Sequence, residues 1–230
     1  MPLPQYTLRR SPRAKHVRLH ITPTEGLIVV VPLRFDVNRV PDLLDAKRSW
    51  IDRKLATIER IEVDLALPET IEFKAIGETC HVDYRPTPSA GVSARENGSA
   101  LILSGAVDDP AKCREALKRW LARQAKHTLV PWLESLSDAH DLPFHKVTVR
   151  GQKTRWGSCS SKRTISINYQ LLFLDPELVH CVLIHELCHT RHLNHGPKFW
   201  ALVEQFAPDH RELHQRLKRE WGRMPGWVGV

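Results

Sequence analysis

Residues 182–200 read VLIHELCHTRHLNHGPKFW, and this stretch decides how the second half of the chain is organised. Side chains four apart on an α-helix stand one turn apart on one face, so His185 and His189 can aim two imidazoles at a single point. Glu186 lies one position round from His185, close to that point but placed to hold a water instead of an ion. This H-E-x-x-H spacing is the pattern of zinc-dependent hydrolysis. A catalytic zinc needs a third protein ligand and an open fourth position. His195, at the Asn194-His195-Gly196-Pro197 break, is the preferred third ligand, with His192 and Glu204 as competitors. His192 keeps the helical phase, but three ligands from one straight helix chelate poorly. Glu204 falls closer to His189 than a glutamate ligand on a following helix usually does.

Working outward, Asp175-Pro176 sets a capping carboxylate before a proline at the first helical position, which predicts that the motif helix starts at residue 176. After Gly196-Pro197 a further helix carries Phe199, Trp200, Leu202, Val203 and Phe206, and Asp209 caps a last one with Leu213, Leu217 and Trp221 on its apolar side. Upstream, strands are expected at 146–150 and 163–169, joined by a Gly- and Ser-containing loop at 151–162. Asp109-Pro110 opens a helix through Leu117, Trp120, Leu121 and Ala125, expected to end before Pro131, with a second short helix beyond it. Helix, two strands and motif helix make an α+β unit over residues 106–230.

Residues 1–105 read as a β-rich region with one long helix. Val17, Leu19 and Ile21 alternate with Arg18 and His20, and a turn at 23–26 leads into a second strand at 27–31, giving a β-hairpin. Asp36 caps a helix expected to run to about Ile61, with Leu43, Leu44, Trp50, Ile51, Leu55 and Ile58 on one face. Two pairs of short strands follow, the second flanking Asn97-Gly98, a dipeptide suited to a type I′ turn. The boundary between the two regions is expected near Gly105.

A hydrophobic content of 42% suits a chain with a real core and excludes a disordered one. The longest apolar run, 27–33, is too short to cross a bilayer, so no membrane association is expected. Five scattered cysteines without a preceding secretory segment point to free thiols and a cytoplasmic setting. Cys159, Cys181 and Cys188 are expected to pack as small buried side chains rather than act as zinc ligands or nucleophiles. The net charge of +8 favours anionic partners, including nucleic acid, although basic residues spread along the chain also fit a merely solvated exterior.

The run TRWGSCSSKRTISINYQLLFLDPELVHCVLIHELCHTRHLNHGPKFW resembles the YgjP-like metallopeptidase family, and its HELCH and HGPKF segments are similar to the wider SprT/WLM group of zincins. The resemblance reaches the N-terminal segment through Trp50-Ile51 and Lys54-Leu55 and so covers nearly the whole chain. It implies a zincin-like metallopeptidase domain built of a backing helix, a small sheet and the motif helix. It also implies one Zn²⁺ held by His185, His189 and His195, with Glu186 as general base. Within the same resemblance Arg155 and Tyr169 are candidate transition-state or substrate contacts, and the strand at 163–169 is a candidate for pairing with an extended polypeptide substrate.

The leading functional reading is a zinc metallopeptidase in which Glu186 assists attack by a zinc-bound water on a peptide bond. Two alternatives keep the metal and change the context: a DNA-associated protease of SprT type, and a metal-dependent nucleotide phosphohydrolase. Against the latter, the chain has no G-x-x-x-x-G-K-[ST] loop.

Overall fold

The computed structural model describes residues 4–22, 26–59 and 66–229, which form two compact units divided between residues 64 and 65. In the first unit, β1 (Tyr6–Ser11), β2 (Arg18–Thr22) and β3 (Gly26–Pro32) form a sheet in the order β1-β3-β2. β3 runs antiparallel to β2, as the expected hairpin requires, and parallel to β1. Residues 23–25 of the hairpin turn lie outside the described residues. Alternation turns Leu27, Val29 and Val31 to one face, where they bury against Val40, Leu44 and Ile51. Those last three come from α1 (Val40–Ala46) and α2 (Arg48–Glu59). The single helix expected after Asp36 is therefore divided. Asp36 caps only the short turn Val37–Arg39, and Lys47 leaves helical geometry (φ −107°, ψ 9°) between α1 and α2. The expected end near Ile61 lies outside the described residues.

The second unit opens with β4 (Thr70–Phe73), β5 (Glu78–Pro86), β6 (Val92–Asn97) and β7 (Ala100–Gly105), in the order β4-β5-β7-β6. Asn97 pairs with Ala100, which makes Gly98-Ser99 the tight turn, and positive φ occurs there at Gly98 alone. The expected type I′ turn needs two such residues, so it does not form. The inner side chains Ile71, Phe73, Leu101 and Leu103 share one core with Leu117 and Trp120, and the Phe73 ring lies 5.5 Å from that of Trp120. This shared core corrects the division expected near Gly105: the local break at the glycine separates no apolar cores.

α3 (Pro110–His140) is a single helix of 31 residues, started by Asp109, whose carboxylate accepts the N–H groups of Ala111 and Lys112. It runs through Pro131, contrary to the expected break. Leu129 and Leu133 are fully buried on either side of that position, while Pro131 and His127, whose carbonyl loses its donor, are exposed. The freed carbonyl is thus left to solvent while the buried face holds the helix continuous.

A second sheet joins β8 (Lys146–Arg150), β9 (Gly157–Cys159) and β10 (Thr164–Asn168) in the order β8-β10-β9. β10 is parallel to β8 and antiparallel to β9. After a short helical turn, Tyr169–Phe173, come α4 (Pro176–Cys188), α5 (Pro197–Phe206), α6 (His210–Glu220) and α7 (Gly226–Gly229). α4 starts at Pro176 as expected, but Asp175 makes no side-chain cap. Its carboxylate binds Arg216 of α6 at 3.0 Å instead, and only its backbone carbonyl serves the helix start. Asp209 likewise precedes α6 without a side-chain cap.

Pro131→Ala restores the missing N–H on an exposed face and should raise the unfolding free energy by about 1–3 kcal/mol in urea titration. An unchanged midpoint would mean that α3 accommodates the proline at no cost.

Candidate metal centre

α4 is apolar on nearly every side, as a fully buried helix must be. Leu178, Val179, Cys181, Val182, Leu183, Ile184, Leu187 and Cys188 are all buried. Beyond Glu177 and His180 near its start, its polar residues are His185 and Glu186 towards the C-terminal end, where His189 forms the cap. Arg191 follows and binds both the carbonyl (2.7 Å) and the carboxylate (2.9 Å) of Asp141, the left-handed residue that ends α3. That contact ties down the turn leading to His195.

His185, His189 and His195 converge so that one ligand atom from each lies within 4.8 Å of the others. The Nε2 atoms of His185 and His195 stand 3.1 Å apart, near the roughly 3.3 Å that separates two nitrogens bound tetrahedrally to zinc at about 2.0–2.1 Å. His189 Nδ1 lies 3.0 Å from the His192 carbonyl, which can only accept, so Nδ1 carries the proton and Nε2 keeps its lone pair. His185 Nδ1 is buried without such a partner. Packing orients this ring instead: Phe199 and Trp200 lie edge-on to it at 4.9 and 5.8 Å. Phe199 also stacks on His189 at 4.4 Å.

Burial, with His189 and further histidines adding repulsion, pushes the His185 pKa down to about 3, and burial lowers that of His189. Both rings are neutral near pH 7, as metal ligands must be. Glu186 is 5% exposed, and its Oε2 has no hydrogen-bond partner among the described residues. Burial raises its pKa from the usual 4.5 to about 8, with the Arg155 charge pulling the other way. Gly157 of β9 lies directly against Glu186: a Cβ there would stand 2.7 Å from both Cγ and Oε1.

The remaining sequence candidates fall in different places. His192 contributes its carbonyl to His189, Glu204 is exposed, and neither belongs to the cluster. Arg155 is exposed, its charge reaches Glu186, and its carbonyl accepts from Asn168 Nδ2 at 3.0 Å. Tyr169 is buried with its hydroxyl against Gly151 and does not line the cavity beside the cluster. The strand expected to meet substrate, 163–169, is β10, which is paired on both edges; the edge strand beside Glu186 is β9. The cysteines are free thiols, and burial pushes Cys159 and Cys181 up to about 11 and Cys188 to about 12.

A cavity of about 240 Å³ adjoins the cluster, lined by Trp156, Gly157, Val182, His185 and Glu186 on one side and by His214, Leu217, Lys218 and Trp221 on the other. Trp156 and Trp221 stack at 4.1 Å. His214 lies 5.3 Å from His185 between ring centres, with Nδ1 2.6 Å from the His210 carbonyl. The sequence reading passed over His214 and Lys218; the spacing of four from His210 to His214 to Lys218 was the one available signal.

Three imidazoles meeting beside a buried carboxylate, with the edge strand β9 against it, make a candidate metal centre. The chain belongs to the YgjP-like family: the model of its metallopeptidase domain matches residues 15–220. The mixed helices and small sheets are those of a zincin-like metallopeptidase domain, which uses a divalent metal. No curated protein gives a significant match. Among solved structures, the metallopeptidase zymogen abylysin of Pyrococcus abyssi is similar at 27% identity, with a TM-score of 0.38 over 40% of this chain and 94% of its own. The zymogen jannalysin of Methanocaldococcus jannaschii shows 19% identity and a TM-score of 0.36, over 40% and 95% respectively. Among the described residues no helix is long and apolar enough to cross a membrane.

Because the folded-state pKa of Glu186 lies above its unfolded value, the folded chain holds the proton longer, and stability from this group falls as pH rises from 4.5 towards 8. In metal-stripped protein, Glu186→Gln should match wild type near pH 4.5 and exceed it at pH 8 by an amount on the order of a few kcal/mol, read from urea unfolding at both pH values. A second test uses Gly157→Ala, which forces Glu186 aside. It should keep the metal, measured by elemental analysis, while hydrolysis falls by about a hundredfold.

Proposed function

We propose that the protein is a zinc-dependent peptidase in which His185, His189 and His195 hold one Zn²⁺ and Glu186 is the general base. The observation that carries this reading is the position of Glu186, buried next to the three imidazoles and against the edge strand β9 with Oε2 unpartnered. Bound there, zinc would act as a Lewis acid that polarises a carbonyl and lowers the pKa of a water to roughly 7. With a dication held beside it favouring its ionised form, Glu186 would be placed to accept a proton from an attacking water and pass it to the leaving amine. The Arg155 charge favours the ionised carboxylate, so Arg155 has an electrostatic part in keeping the base ready.

β9 pairs with β10 along one edge. Its outer edge can add an extended polypeptide by main-chain hydrogen bonds, which would carry the scissile bond past Glu186. A cavity of 240 Å³ is below the roughly 300–1,000 Å³ typical of sites that enclose a whole small molecule, and this favours a single side chain over a nucleotide.

Glu186→Gln should retain one zinc per chain while turnover of an unfolded polypeptide falls by at least about 10²-fold. His195→Ala should lose both metal and activity. Full activity in the Gln variant, or zinc bound as tightly without His195, would remove these assignments.

A further inference from the structure

Three residues of α6, His214, Leu217 and Lys218, together with Trp221 just beyond it, turn towards the cavity beside Glu186. The spacing 214, 217, 218 and 221 follows one helical face. This wall is fixed from behind. Arg216 binds Asp175 and Glu177, the residues on either side of the proline that starts α4, and so clamps α6 to the helix carrying the motif. Arg216 thereby occupies the two acidic side chains at that junction. Lys218, two residues on, takes part in no ion pair among the described residues. It is exposed and lies at the cavity's edge, where the sole acidic lining residue is the deeply buried Glu186.

The cavity therefore has two chemistries. Its floor is apolar and aromatic, made by the stacked Trp156 and Trp221 with Val182 and Leu217, and its volume admits one side chain. Its rim presents an uncompensated ammonium. A cleft with low-dielectric walls strengthens the field of such a charge at its mouth.

We infer that Lys218 is a specificity-determining residue that selects substrates carrying a carboxylate close to the apolar side chain seated on the Trp156–Trp221 pair. The carboxylate is either the free C-terminus of a polypeptide or the side chain of a nearby Asp or Glu. This rests on the peptidase reading above.

The test starts with zinc-loaded protein and reduced, unfolded casein, with cut sites mapped by mass spectrometry. The most frequently cut sequence is then remade as matched peptides: C-terminal acid against amide, and Asp or Glu against Asn or Gln within three residues of the cut. Wild type should prefer at least one carboxylate form by about three- to tenfold in kcat/KM. The pair that shows the preference identifies its source. Lys218→Glu should reverse the ratio and Lys218→Arg should keep it. Equal ratios in wild type, or a ratio that survives Lys218→Glu, would overturn the inference while leaving the peptidase reading intact. Casein left uncut by the wild type would instead defeat the peptidase reading, and this inference with it.

Discussion

The chemistry of the candidate metal centre turns on the burial of one carboxylate, Glu186. An isolated ionisable group loses its hydration when enclosed, which is why Glu186 is driven towards its protonated form. It is enclosed because α4 is surrounded by the core beyond its exposed first turn, and the burial continues through the motif end, where residues 186–190 are all buried. Gly157 completes the enclosure, since no side chain larger than hydrogen fits between β9 and Glu186. Burial thus opposes ionisation of this carboxylate, and the Arg155 charge works in the other direction.

The same enclosure acts on the His185 and His189 rings. Repulsion among neighbouring imidazoles and loss of hydration both oppose protonation, so lone pairs remain available near neutral pH. Orientation is divided between two mechanisms. His189 is set by a hydrogen bond to the His192 carbonyl, while His185 is held by aromatic packing from α5. His195, by contrast, is exposed and depends on the turn that Arg191 anchors to Asp141. One ring is thus tethered, one packed and one carried on a turn, and of the three His185 lines the cavity.

The cavity is bordered by two different elements. β9 brings Gly157 of an edge strand to it, and α6 supplies His214, Leu217 and Lys218. Arg216 binds Asp175 and Glu177, which ties α6 to the start of α4, the opposite end of the motif helix from the imidazoles.

The sequence by itself determined what local periodicity can determine. The spacing of His185 and His189, the proline starts of α3, α4 and α5, and the chain break around His195 are all consequences of helix geometry within about twenty residues. The reading went astray where distant contacts override local signals. Pro131 stays helical because Leu129 and Leu133 are buried together, and Asp175 leaves its expected cap because Arg216, forty-one residues away, offers a charged partner. Gly105 marks a bend but not a boundary, because the strands before it share a core with α3. Strand order is likewise a matter of pairing partners rather than of composition. Thr164–Asn168 has the stronger strand pattern, yet tertiary structure places it inside the sheet and gives the edge to Gly157–Cys159. Only the folded chain brings His214, Lys218 and Trp221 to the mouth of the centre, since nothing in a one-dimensional pattern records which face of α6 meets which face of α4.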